Sequence, residues 1–158
     1  MYQRIFVPID GSPTSNLGLN EAIKLAKDQG AKLRLFHLVD EYIAVAGTDG
    51  MGFANTDDLI ESLRQGGKTI IAKAEALARR NGVTPDSVML EGFGGHAANT
   101  IVQQADKWKA DLIVIGTHGR RGVKRMVMGS DAEQVVRTAR VPVLLVRGKA
   151  AQRASRKS

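Results

Sequence analysis

The run Arg4 to Ile9, RIFVPI, has no polar face. In an extended chain successive side chains point to opposite sides, so Ile5, Val7 and Ile9 share one face while Phe6 and Pro8 share the other. A strand that is apolar on both sides needs cover on both sides, which is the situation of a parallel sheet flanked by helices. Four further short runs read the same way: Lys32 to Val39, Ser87 to Glu91, Leu112 to Ile115 and Val143 to Val146.

Between these runs, apolar residues recur at helical spacing. Ser12-Pro13 is a helix start, with Leu19, Ala22, Ile23 and Ala26 repeating up to Gly30. Thr56-Asp57-Asp58 opens a long helix whose Leu59, Leu63, Ile70, Ala74 and Leu77 form one face up to Gly82, with Gly66-Gly67 expected to weaken its middle. A third helix turns Ala98, Ile101, Val102 and Ala105 inward, with Trp108 closing it against the sheet, and a fourth opens at Gly129-Ser130. The order is βαβαβαβαβ. With right-handed crossovers it predicts an α/β fold, a single doubly wound five-stranded parallel sheet with helices on both faces.

Composition narrows the function classes. At 158 residues the chain is one domain, long enough to bury about two-thirds of the surface its unfolded form exposes. Aromatics make up only 4%, so the core must be mainly aliphatic. The absence of cysteine excludes disulfides, thiolate catalysis and cysteine-based zinc sites, and fits a reducing compartment. No apolar run approaches the ~20 residues of a membrane span, and Met1-Tyr2-Gln3-Arg4 leads into a strand, so a cytoplasmic location is expected. Of the net charge of +7, five units come from Arg147, Lys149, Arg153, Arg156 and Lys157, with no acid among them. Residues 148–158 therefore read as an exposed, disordered basic tail on a domain spanning 1–147.

The chemistry-bearing stretch is Asp111 to Arg147, a strand, a glycine-punctuated basic loop, a short helix and a last strand. Gly116 and Gly119 lack a Cβ, so the backbone is expected to turn with positive φ and present its N–H groups to a ligand. Gly129-Ser130 stands at a helix N-terminus, where unpaired amides and the macrodipole favour an anion by about 0.3–1 kcal/mol. The Ser130 hydroxyl is suited to bonding a phosphate or capping the helix. Arg120, Arg121, Lys124 and Arg125 lie between these glycines without an acid, so the predicted ligand is a polyphosphate. The competing structural explanation is an ordinary glycine loop with a helix cap.

Gly116, two residues, Gly119, nine residues, Gly129 and Ser130 together resemble the phosphate-binding pattern of the ATP-binding branch of the universal stress protein family. The segments IFVPIDGS, LFHLVD and VPVLLVR resemble that family too, so the likeness covers residues 2–147. It implies an adenine nucleotide alpha hydrolase-like fold with strand order 3-2-1-4-5, which sets the first and fourth strands side by side at the switch point. It also implies that Pro8, Ile9 and Asp10 border the adenosine, and that main-chain groups near Val39 read the adenine. Gly116, Gly119, Gly129 and Ser130 would hold the phosphates, Arg120 would neutralise charge, and Thr117 and His118 would line the cradle. Mg²⁺ would accompany ATP through the triphosphate oxygens, since the sequence shows no protein ligand cluster. The family further implies a homodimer through the last strand, Val141 to Val146, and a nucleotide-dependent sensor or regulator of the stress response.

Asp10 fits a turn or cap as well as a ligand contact. His118 has no partner at nucleophile or metal-ligand spacing, so the sequence assigns no catalytic residue. An alternative is a slow ATPase or a phosphoryl or adenylyl transferase, against which stands the lack of a general base beside the cradle. Another is a basic adaptor binding nucleic acid or acidic partners, against which stands the lack of aromatics for base stacking in the basic loop. Two motifs are decoys. Gly67-Lys68-Thr69 imitates the end of a Walker A loop, but Ser62 replaces the earlier glycine and the segment is mid-helix. Gly92-x-Gly94-x-x-Ala97 imitates a dinucleotide fingerprint, but Asp111 begins a strand where the acid should end one. Glu41 to Asn55, rich in glycine, reads as a flap over the crevice or a disordered insertion.

Overall fold

The computed structural model describes residues 1–41, 56–92, 97–117 and 128–148. The expectations for His118, Gly119, Arg120 and the rest of the basic loop, for the insertion after Glu41, and for the tail after Gly148 lie outside the described residues. The elements run β1 (Arg4–Pro8), α1 (Pro13–Gln29), β2 (Lys32–Asp40), α2 (Thr56–Arg80), β3 (Asp86–Gly92), α3 (Ala97–Lys107), β4 (Leu112–Gly116), α4 (Ser130–Thr138) and β5 (Val143–Val146). The strands form one sheet in the order β3-β2-β1-β4-β5, every pairing parallel.

Strand periodicity divides the core into two layers. Ile5, Val7 and Ile9 pack with Leu33, Leu35, Leu112 and Val114 against Leu19, Ala22, Ile23 and Ala26 of α1 and Ala74 and Ala78 of α2. Phe6, Phe36, Ile113 and Ile115 face the other way, against Ala98, Ile101 and Ala105 of α3 and Ala132 and Val135 of α4. Trp108 closes α3 against this second layer, its ring 6.4 Å from Phe6. The first strand is therefore apolar on both faces because each face is a core.

Helix α1 follows its sequence signals. The Ser12 hydroxyl accepts from the Ser15 amide at 3.2 Å, Pro13 opens the first turn, and Gly30 ends the helix in the left-handed region at φ 65°. Helix α2 departs from expectation at Leu59, which is 40% exposed rather than on the inward face. As expected of one long helix, it runs on through Gly66-Gly67. Glycine costs about 1 kcal/mol in a helix interior, so tertiary packing supplies what local propensity withholds.

At the amino edge of the sheet, long side chains close the end. The Asp111 carboxylate accepts from the amides of Gln3 (2.8 Å) and Arg4 (2.9 Å), tying β1 to the start of β4. The guanidinium groups of Arg4 and Arg34 lie 5.1 and 4.8 Å from the centre of the Trp108 ring, and Arg34 is paired with Asp86 of β3. No helix among the described residues is long and apolar enough to cross a membrane.

Candidate functional site

The opposite edge of the sheet holds the site residues that the sequence singles out. β1 and β4 are neighbours at the centre of the sheet, where strand order reverses and a crevice opens beyond the strand ends. Pro8, Ile9, Asp10, Val39, Gly116, Thr117, Gly129 and Ser130 all belong to segments at these carboxyl ends.

At the end of β4, Gly116 is required for a reason other than the expected turn. The positive-φ glycines among the described residues are Gly11, Gly30 and Gly82. A Cβ on Gly116 would stand 2.6 Å from the Thr14 carbonyl oxygen and 2.9 Å from the Ser15 nitrogen. Gly116 therefore lets the first turn of α1 lie in backbone contact with β4. A Cβ on Gly148 would likewise meet Thr14 Cγ2 at 3.3 Å, so the chain leaving β5 passes beside the same turn.

Thr117 connects the parts of the cradle through its main chain. Its amide donates to the Val146 carbonyl at 3.0 Å, and its carbonyl accepts from the Gly129 amide at 2.7 Å. Gly129 is the N-cap of α4, in extended conformation, and has no side chain with which to cap the helix. Ser130 is the first helical residue and is exposed, so its hydroxyl does not take the capping position. The Glu133 amide makes the first helical bond, to the Gly129 carbonyl at 3.0 Å. The amides of Ser130, Asp131 and Ala132 precede it and have no acceptor within the helix, the arrangement that receives anions. Asp131 and Glu133 in this first turn partly offset the attraction for an anion. The sequence shows these acids directly after Ser130, but the cradle pattern draws attention away from them.

Across the crevice, the turn after β1 is held by short polar groups. The Asp10 carboxylate accepts from the Ser12 amide at 2.8 Å, the Asp10 amide donates to the Ser15 hydroxyl at 3.1 Å, and Gly11 takes φ 78°. Asp10 is thus a turn-forming residue at the crevice. β2 pairs with β1 only as far as Phe36, opposite Pro8, yet continues to Asp40. The overhang carries main-chain groups near Val39 past the end of β1. The Val39 side chain is buried, leaving its backbone as the chemically useful part.

Farther along this rim, Arg64 of α2 binds Glu91 of β3 through two bonds of 2.7 and 2.9 Å and lies 3.5 Å from Glu61 and 3.7 Å from Glu41. The Arg64 hydrogen bonds hold the Glu91 carboxyl below its ordinary range, and bonding from Gln65 and then Arg64 does the same for Glu61. A shallow groove of about 380 Å³ between α2 and β3, lined by Lys68, Ile71 and Met89 among others, lies on the outer edge of the sheet away from this crevice. Among the described residues no three His, Cys, Asp or Glu side chains form a cluster able to hold a metal.

Strand order, parallel register and a main-chain cradle at the switch point define an α/β fold of the adenine nucleotide alpha hydrolase-like class. The chain belongs to the universal stress protein family, whose model matches residues 1–147. It is 38% identical over 148 residues to universal stress protein MJ0531 of Methanocaldococcus jannaschii, covering 93% of this chain and 83% of the relative. It is 30% identical over 151 residues to YxiE of Bacillus subtilis, covering 93% and 100%. Among solved structures, hypothetical protein MJ0577 has the same fold, with a TM-score of 0.80 at 23% identity over 94% of this chain and 97% of the other. A universal stress protein in complex with cAMP superposes with a TM-score of 0.65 at 26% identity, covering 92% and 97%. Another, from Archaeoglobus fulgidus in complex with dAMP, superposes with a TM-score of 0.63 at 25% identity, covering 92% and 98%.

Proposed function

We propose that this protein binds ATP in the crevice between β1 and β4 and acts as a nucleotide-dependent sensor or regulator of the stress response rather than as a fast catalyst. The observation that carries this function is the N-terminus of α4, which begins at a glycine with no capping side chain and is tied by the Gly129 amide to Thr117 at the end of β4. Main-chain amides and the Ser130 hydroxyl are suited to phosphate oxygens, and the overhanging end of β2 is suited to reading a base edge. The complexes of two family members with cAMP and dAMP support an adenine nucleotide as the ligand.

In this proposal Gly116, Gly129 and Ser130 hold the phosphates, Pro8, Ile9 and Asp10 border the adenosine, and Val39 meets the adenine through its backbone. Gly119 and Arg120 complete the cradle by the family spacing. Mg²⁺ accompanies the triphosphate through its own oxygens. The protein works in the cytoplasm as a homodimer paired through β5, whose outer flank has no strand partner among the described residues. Titration calorimetry of the purified protein with ATP, ADP and AMP tests the proposal. Saturable binding that tightens from AMP to ATP is expected, and no heat with any adenylate at millimolar concentration overturns it.

A further inference from the structure

Of the two glycines inside α2, only one is explained by packing. A Cβ on Gly66 would meet nothing within 4 Å, whereas one on Gly67 would stand 2.9 Å from His37 Cδ2, 2.9 Å from Met89 Sδ and 3.1 Å from His37 Nε2. The Met89 thioether is the flexible part of a side chain and can yield. The imidazole cannot move without breaking a bond, because His37, 5% exposed on β2, has its Nδ1 2.7 Å from the Ile9 carbonyl oxygen. A carbonyl only accepts, so Nδ1 carries the proton and donates.

That bond acts on a single peptide plane. The plane joining Ile9 to Asp10 contains the carbonyl held by His37 and the amide held by the Ser15 hydroxyl. The plane before Ile9 is held as well, since the Ile9 amide donates to the Phe36 carbonyl at 2.8 Å. Ile9 lies just beyond the last paired residue of β1, and its amide makes the last rung of the ladder, to Phe36. Two consecutive residues of β2 thus hold the chain at the mouth of the crevice, Phe36 through that final main-chain bond and His37, one step farther on, through its ring.

We propose that His37 is a positioning residue for the nucleoside half of the site, with Gly67 as the residue that admits its ring. This rests on the nucleotide-binding function proposed above. His37 fixes the separation between the Ile9-Asp10 peptide and the β2 overhang at Val39, the two walls between which the adenosine lies. It acts through those walls and touches no phosphate.

The test is calorimetry with AMP and ATP on the full chain, comparing wild type with His37→Leu, His37→Asn, Gly67→Ala and Gly66→Ala. His37→Leu should weaken AMP and ATP by the same factor, about tenfold, the worth of one buried hydrogen bond. His37→Asn places an amide donor where Nδ1 stood and should restore most of the affinity. Gly67→Ala should weaken both ligands, and Gly66→Ala should leave both within about twofold of wild type. Gly67→Ala carries the test alone if His37→Leu does not fold. Unchanged affinity in both His37→Leu and Gly67→Ala, no rescue by asparagine, or a loss that grows from AMP to ATP overturns the proposal. If wild type itself binds neither nucleotide, the binding function falls first; if it binds and the variants match it, only the role of His37 falls.

Discussion

The two edges of the sheet are built from opposite materials. At the amino edge, Trp108 sits beneath two guanidinium groups, Arg34 pairs with Asp86, and Asp111 holds the first amides of β1. At the centre of the carboxyl edge, bonds run through the main chain of Thr117, Gly129 and Ile9, joined by the short side chains of Asp10, Ser12 and Ser15. One edge is finished with side chains and needs no ligand. The other leaves the first amides of α4 without acceptors in the helix, where the proposed nucleotide would bind.

Replacing Trp108 by alanine tests whether the amino edge serves stability alone. The expected loss is about 3–5 kcal/mol by urea denaturation, with affinity for adenylates retained in the fraction that folds. A change in nucleotide preference would break the comparison. Gly116→Ala tests the other edge and should have a smaller effect on stability, about 1–3 kcal/mol, because its Cβ meets the backbone of Thr14. Its adenylate affinity should fall as well, since the same shift displaces Thr117 and with it Gly129. Stability lost without loss of affinity would show that the close approach and the cradle are independent.

The smallest effect belongs to the rim, where Arg64 joins three carboxylates. The Glu91 and Glu61 carboxyls lie below their ordinary value of 4.5, so their contribution to stability is present above that value and is lost as pH falls through the lowered one. Arg64→Gln should therefore lower the melting temperature slightly at pH 7, and the difference from wild type should shrink when melting is measured near about pH 3. A difference that persists undiminished in acid would show that Arg64 acts through packing rather than charge.

Much of the fold was legible because its signals are local. Ser12-Pro13 and Gly30 bracket α1 as their chemistry dictates, and the alternation Ile5, Phe6, Val7 assigns each residue to the correct one of two cores. The parallel sheet covered on both faces followed from the element order and the handedness of crossovers, the strand order from the family resemblance, and the structure has both.

What escaped was the reason for particular residues. Gly116 looked like a turn glycine and is a contact glycine, and Gly67 looked like a defect and is the space a histidine needs. Both depend on a partner 102 and 30 residues away in sequence, Thr14 and His37, and no window along the chain contains that partner. For Ser130 the sequence offered a phosphate contact or a helix cap, and the cap falls away because Gly129 is the N-cap and Ser130 the first helical residue.

Because Gly148 passes against Thr14 while Met1 is fully open at the far rim, the two positions are unequal as attachment points. A fluorophore at Met1 would report the molecule's tumbling and little else. One at Gly148 would sit beside the first turn of α1, placed to brighten or dim if the proposed nucleotide enters the neighbouring crevice.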